Sequence, residues 1–184
     1  MSPRTWGNVS PKVNGEGAPL ILTAELPPEL HRRYTDLRTQ YFPPERNYLE
    51  AHVTLFHAIP PQCEDELRRY LARLVGEVPQ IEGRVEGLMS LGGGTAIKLS
   101  SADLLALREE IAEHFRGMLT AQDQHRPRLH VTIQNKVSSK EAKALQAELS
   151  GLVERRDFAF PGVALYAYRG GPWEFLRRFA FRGK

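Results

Sequence analysis

A mixed fold of helices and strands, built from two related halves, is predicted by three observations. Apolar strand-like runs and amphipathic helical stretches follow the order strand, helix, strand, helix, hairpin, helix, strand, helix, hairpin. A helix followed by a strand that opens on histidine occurs once in each half: Glu50-Ala51-His52-Val53-Thr54-Leu55-Phe56 is matched by Arg128-Leu129-His130-Val131-Thr132-Ile133-Gln134. The 184 residues, 41% hydrophobic and 26% charged, suit one globular domain and exclude collagen-like, disordered and membrane-spanning classes.

Residues 1–18, rich in Gly, Pro, Ser and Asn without periodicity, read as a flexible tail, and the single domain runs over 19–184. Leu20 to Leu26 is a short apolar run stopped by Pro27-Pro28, hence a buried strand. The next stretch is a helix to about Tyr41, ended by Pro43-Pro44. Glu50 to Ala58 is a strand halted by Pro60-Pro61. From Glu64 to Gly76 the residues Leu67, Tyr70, Leu71, Leu74 and Val75 fall at three-and-four spacing behind an acidic first turn, which makes an amphipathic helix. Ile81 to Leu91 and Thr95 to Leu99 flank Gly92-Gly93-Gly94. That glycine run reads as a hairpin turn, since no Lys-Ser/Thr follows at phosphate-loop spacing. Ser101 to Met118 is a further amphipathic helix and Arg128 to Val137 a strand. Ser138-Ser139-Lys140-Glu141 is a capping box that opens a helix to about Leu152. Phe158 to Tyr168 and Glu174 to Phe181 close the chain as aromatic-rich strands around Gly170-Gly171-Pro172.

Composition narrows the setting. The one cysteine, Cys63, can form neither an internal disulfide nor a cysteine-rich zinc site, which fits a reducing cytoplasm. The N-terminal residues hold no apolar stretch suited to a signal sequence, and no run of about 18 apolar residues occurs, so neither export nor a membrane is expected. The net charge of +3 divides unevenly: residues 1–92 carry 10 basic and 12 acidic side chains, residues 93–184 carry 15 and 10. Arg126 and Arg128 flank the second histidine motif, and Arg169, Arg177, Arg178, Arg182 and Lys184 gather near the C-terminus. This pattern is compatible with an anionic ligand, but charge alone reads first as a solvated surface of mixed sign.

The two His-Val-Thr-aliphatic segments carry the chemistry. With six histidines and roughly eight threonines, chance supplies about a quarter of one His-x-Thr in this chain, and here two occur inside apolar strands. Side chains alternate along a strand, so His52 and Thr54 share one face with Glu50 and Phe56, and His130 and Thr132 share one with Arg128 and Gln134. Val53, Leu55, Leu129, Val131 and Ile133 point the other way, toward a core. Two imidazoles and two hydroxyls brought across a cleft suit phosphodiester chemistry. One histidine can take a proton, the other can give one, and the hydroxyls can hold non-bridging oxygens, without a metal.

At these residues the sequence resembles the 2H phosphoesterase superfamily, within it the bacterial 2′-5′ RNA ligase-like and cyclic phosphodiesterase proteins. The resemblance covers about residues 19 to 181. It implies a bilobal α+β fold with pseudo-two-fold symmetry, in which antiparallel sheets line a central cleft and helices pack outside. It implies an enzyme that needs no cofactor, acting on RNA ends or nucleotides by opening 2′,3′-cyclic phosphates or handling 2′-5′ linkages. His52 and His130 take the places of the family's general acid and base, and Thr54 and Thr132 those of its phosphate-holding hydroxyls. No obligate protein partner is implied, and the chain is expected to be a monomer.

Further substrate contacts are open on the residues alone. Arg128 can hold a phosphate or pair with a carboxylate. Phe56 can stack a base or fill the core. Gln134 can contact the substrate or close a strand end. His57, on the face opposite His52, reads as structural. A zinc site from His52, His57 and His130 lacks a carboxylate or cysteine at a known spacing. Tyr166 and Tyr168 either frame the cleft or pack in the core. The alternative to an enzyme is a module that binds RNA ends or nucleotides in the same cleft without turnover.

Overall fold

The computed structural model describes residues 17–184, so the tail expected over 1–18 lies almost wholly outside them. Four helices and eight strands form among the described residues: β1 (Leu20–Ala24), α1 (Pro28–Tyr41), β2 (Val53–Ile59), α2 (Glu64–Glu77), β3 (Ile81–Ser90), β4 (Thr95–Ser100), α3 (Ala102–His114), β5 (His130–Gln134), α4 (Ser139–Leu149), β6 (Arg156–Phe160), β7 (Gly162–Tyr168) and β8 (Trp173–Ala180). The strands make two antiparallel sheets of four, in the orders β2-β1-β7-β8 and β5-β4-β3-β6. This is the expected α+β class, with each motif strand at the edge of its own sheet. Among the described residues no helix is long and apolar enough to cross a membrane.

Local rules account for most elements. In α2, Leu67, Tyr70, Leu71, Leu74 and Val75 are all buried, and Glu64, Asp65 and Glu66 sit in the positive first turn. Ser138 and Glu141 form the expected capping box, at 3.1 and 2.8 Å. The triple glycine is the β3-β4 turn. Gly92 has a positive φ, and any side chain at Gly94 would collide with the carbonyl of Gln134, so the turn also lets the end of β5 approach.

The helices interlock the two halves. α2 packs on the first sheet and α4 on the second. α1, although it follows β1, lies along β5, with Tyr41 donating to Glu148 of α4 at 2.7 Å and Glu29 meeting Arg156 of β6 at 2.9 Å. α3 packs on β3 of its own sheet, and His114 at its end reaches α2, where it stacks on Tyr70 with ring centroids 4.0 Å apart. β5 is thereby flanked by a helix from the other half, and β2 is reached from the other half by the Arg108 side chain of α3.

Three sequence expectations are corrected. The strand expected over Phe158 to Tyr168 breaks at Pro161, which has no N–H to give a ladder; β6 and β7 on either side belong to different sheets. The third helix ends at His114 rather than Met118, followed by Gly117 at φ 83° and a loop to β5. Strict alternation fails in both motif strands, and at the same place. Thr23 is opposite Thr54 but Leu22 is opposite Phe56, which leaves Leu55 as an extra residue; Ala96 is opposite Thr132 but Thr95 is opposite Gln134, which leaves Ile133 extra. Each bulge reverses the facing of the residues beyond it.

The meeting edges are satisfied by buried charge. Arg38, on α1, donates to the carbonyls of Thr132 at 2.7 Å and Leu49 at 3.0 Å and to the Asn47 side chain at 3.2 Å, and its guanidinium lies 4.4 Å from the Phe42 ring centre. Arg108, on α3, donates to the carbonyls of Leu55 at 3.4 Å and of Asp123, with its guanidinium 4.4 Å above Phe56. Both are 3% exposed. Replacing Arg108 with Met leaves two interior carbonyls without a donor and should cost about 2–4 kcal/mol in urea unfolding. Arg84→Met, which removes only exposed ion pairing centred on Asp157, should cost far less. Equal losses would contradict a role for Arg108 in holding the strand edge.

Candidate functional site

His52 stands immediately before β2 and His130 opens β5. Val53 and Val131, the next residue in each case, are fully buried, so both imidazoles turn away from the core. The two rings are anchored alike. Nδ1 of His52 lies 2.7 Å from the carbonyl of Glu50, and Nδ1 of His130 lies 2.6 Å from that of Arg128, in each case two residues upstream. A carbonyl only accepts, so Nδ1 carries the proton and the neutral ring keeps its lone pair on Nε2.

Burial sets their acidity. It pulls His52 from 6.5 down to about 4; the Glu50 carbonyl opposes the shift, and the charges of Arg38, His130 and His57 add to it. His130 is lowered for the same first reason, opposed by the Arg128 carbonyl and helped by the charges of His57 and Arg128. That these charges are felt follows from the packing of β2 against β5. Thr54 and Thr132 follow on the same faces, ahead of the two bulges, and both are partly exposed.

Of the other expected contacts, Phe56 is fully buried beneath Arg108. Gln134, 7% exposed, accepts from Thr95 among residues covered by α4. The bulges at Leu55 and Ile133 turn both side chains off the cleft face. Arg128 is exposed, and among the described residues it forms no ion pair.

His57 is placed differently from expectation, because the bulge at Leu55 returns it to the face of Thr54. Its ring Nδ1 is 3.3 Å from Asp123, a carboxylate 1% exposed that also accepts from the backbone of His57 at 2.8 and 3.0 Å and of Ala58 at 2.8 Å. Burial would raise the pKa of Asp123, but these donors outweigh it and keep the carboxyl below its ordinary range. Two more neighbours carry no motif in the sequence. Trp173, at the start of β8, tilts over His52 with centroids 4.6 Å apart and meets Tyr166 at 5.7 Å. Lys98, on β4, is directly opposite His130 in the ladder and exposed. Its signal was the two-residue period of Thr95 to Leu99, once β4 is paired with β5. Among the described residues, no three His, Cys, Asp or Glu side chains gather closely enough to hold a metal ion.

Solved structures share this architecture. TT0787 of Thermus thermophilus superposes with a TM-score of 0.61 at 17% identity, over 90% of this chain and 99% of that one. E. coli LigT complexed with NADP+ gives 0.61 at 18% identity, over 91% and 99%. A structure titled as a phosphoesterase gives 0.61 at 19% identity, over 89% and 98%. No curated protein matches the sequence. Residues 26–172, a span that holds both motif strands and the helices that pin them, match the 2′-5′ RNA ligase superfamily, and the chain belongs to that superfamily.

Proposed function

We propose that the chain is a phosphodiesterase acting on RNA ends or nucleotides, opening 2′,3′-cyclic phosphates or cleaving or joining 2′-5′ linkages by two-histidine acid–base chemistry. The observation that carries this reading is the matched anchoring of His52 and His130, which leaves a free Nε2 on each ring where two sheet edges meet. His52, neutral at neutral pH, takes the proton from the attacking hydroxyl or water. His130 gives a proton to the oxygen that leaves phosphorus, and a bound phosphate favours its charged form. Thr54 and Thr132 donate hydroxyls to the non-bridging oxygens as charge builds there. Neither proton transfer calls for a metal ion. E. coli LigT has been crystallised with 3′-AMP, at a TM-score of 0.59 to this chain, and with ATP, at 0.54; nucleotides of that kind suit the cleft. The buried free thiol of Cys63 fits a cytoplasmic setting.

Hydrolysis of nucleoside 2′,3′-cyclic phosphates in the presence of chelator tests the reading. His52→Ala and His130→Ala should each lower turnover by about 10²–10⁴, and Thr54→Ala or Thr132→Ala by about 10–150-fold. Wild-type rates in both histidine variants would sink the mechanism, and a protein that binds these nucleotides without turning them over would be the non-catalytic module.

The pH dependence has a fixed sign. In kcat/KM the base must have lost its proton and the acid must keep its own. The acid limb should therefore have its midpoint near 4 and the alkaline limb should fall below 6.5. A profile centred at neutral pH or above would contradict these roles.

A further inference from the structure

Three basic side chains that the proton transfers do not use are placed beside His130. His57 comes from β2, Lys98 from β4 and Arg128 from the residues ahead of β5. His57 is a built feature. Its imidazole is half exposed, while the Asp123 carboxylate behind it is 1% exposed and takes every hydrogen bond offered by the His57 ring, the His57 backbone and the Ala58 backbone. With Nδ1 held on Asp123, the other ring nitrogen, Nε2, is left for a ligand. Lys98 is the cross-strand partner of His130, so their side chains stand on one face. Arg128 supplies the carbonyl that anchors His130 and keeps its own guanidinium out of any side-chain pairing. Among the described residues neither Lys98 nor Arg128 forms an ion pair, and the nearby Glu50 is taken by His31 at 3.2 Å.

We propose that His57, Lys98 and Arg128 form a second anion subsite beside His130, which takes the phosphate on the 5′ side of the nucleotide whose 2′ or 3′ phosphate lies between the histidines. This rests on the nucleotide-cleft reading above. The reacting phosphate already has two threonine hydroxyls and two imidazoles. Lys98 and Arg128, with the outward ring nitrogen of His57, match the next phosphate, one ribose away along an RNA strand or on a bisphosphorylated nucleoside. The favoured ligand is therefore a strand end or a 5′-phosphorylated nucleotide rather than one with a bare 5′ hydroxyl.

Calorimetric titration with adenosine 3′-phosphate and adenosine 3′,5′-bisphosphate at fixed ionic strength tests this. The wild-type protein should bind the bisphosphate about tenfold or more tightly. His57→Gln and Arg128→Gln should each bring the ratio of the two affinities toward one, and Arg69→Gln, on the exposed face of α2, should leave the ratio as it is. Equal wild-type affinity for the two ligands, or a preference that survives in both subsite variants, would overturn the subsite and leave the two-histidine reading standing. Binding of neither nucleotide would overturn both.

Discussion

The whole arrangement depends on how two strand edges are satisfied where they meet. β2 and β5 each have one side without a partner strand, and a bare edge inside a protein leaves carbonyl and amide groups unpaired. Arg38 and Arg108 supply donors to the carbonyls of Thr132 and Leu55, and Asp123 supplies acceptors to the amides of His57 and Ala58. Each arginine comes from the helix that follows the other sheet's strand. The halves are therefore joined by charge taken out of water, and such a group is tolerated only while its hydrogen bonds are complete. Arg38 and Arg108 are pulled down by burial, Arg38 to about 10, and both remain cationic at neutral pH.

From this joint the character of the histidines follows. Where the two edges meet, both imidazoles are half-buried, and burial there is the first cause of the lowered proton affinity of His52 and His130. Arg38 adds to the effect on His52 from behind the strand. The same upstream carbonyl that orients each ring also chooses its tautomer, so orientation and protonation are set by one contact per histidine. Trp173 closes the other side of His52. Lys98 and Arg128 stand beside His130, which gives the two histidines different surroundings despite their matched frames.

Much of this is legible in the sequence. Periodicity and punctuation place the helices and most strands, and the paired His-Val-Thr segments point to the superfamily that residues 26–172 match. The rest escapes for physical reasons. A two-residue period cannot announce a bulge, so it puts Phe56 and Gln134 on the cleft face and His57 on the wrong one. Pro161 reads as part of a strand because aromatic residues continue on both sides of it. Arg38 and Arg108 leave a trace that is clear once the structure is known. Each interrupts an apolar stripe, Leu30-Tyr34-Arg38 and Leu104-Leu107-Arg108-Ile111, at a position where a helix turns inward. Asp123 leaves none, because its partners are backbone amides 65 or more residues away.

The most direct measurement is the nitrogen NMR spectrum of ¹⁵N-histidine-labelled protein at neutral pH, with His52 and His130 assigned by substitution. His52 should be neutral, with the proton on Nδ1 and an unprotonated Nε2, and its resonances should move to the charged form only near pH 4. A neutral His52 with its proton on Nε2, or a His52 that is charged at neutral pH, would contradict the anchoring on which the proposed chemistry stands.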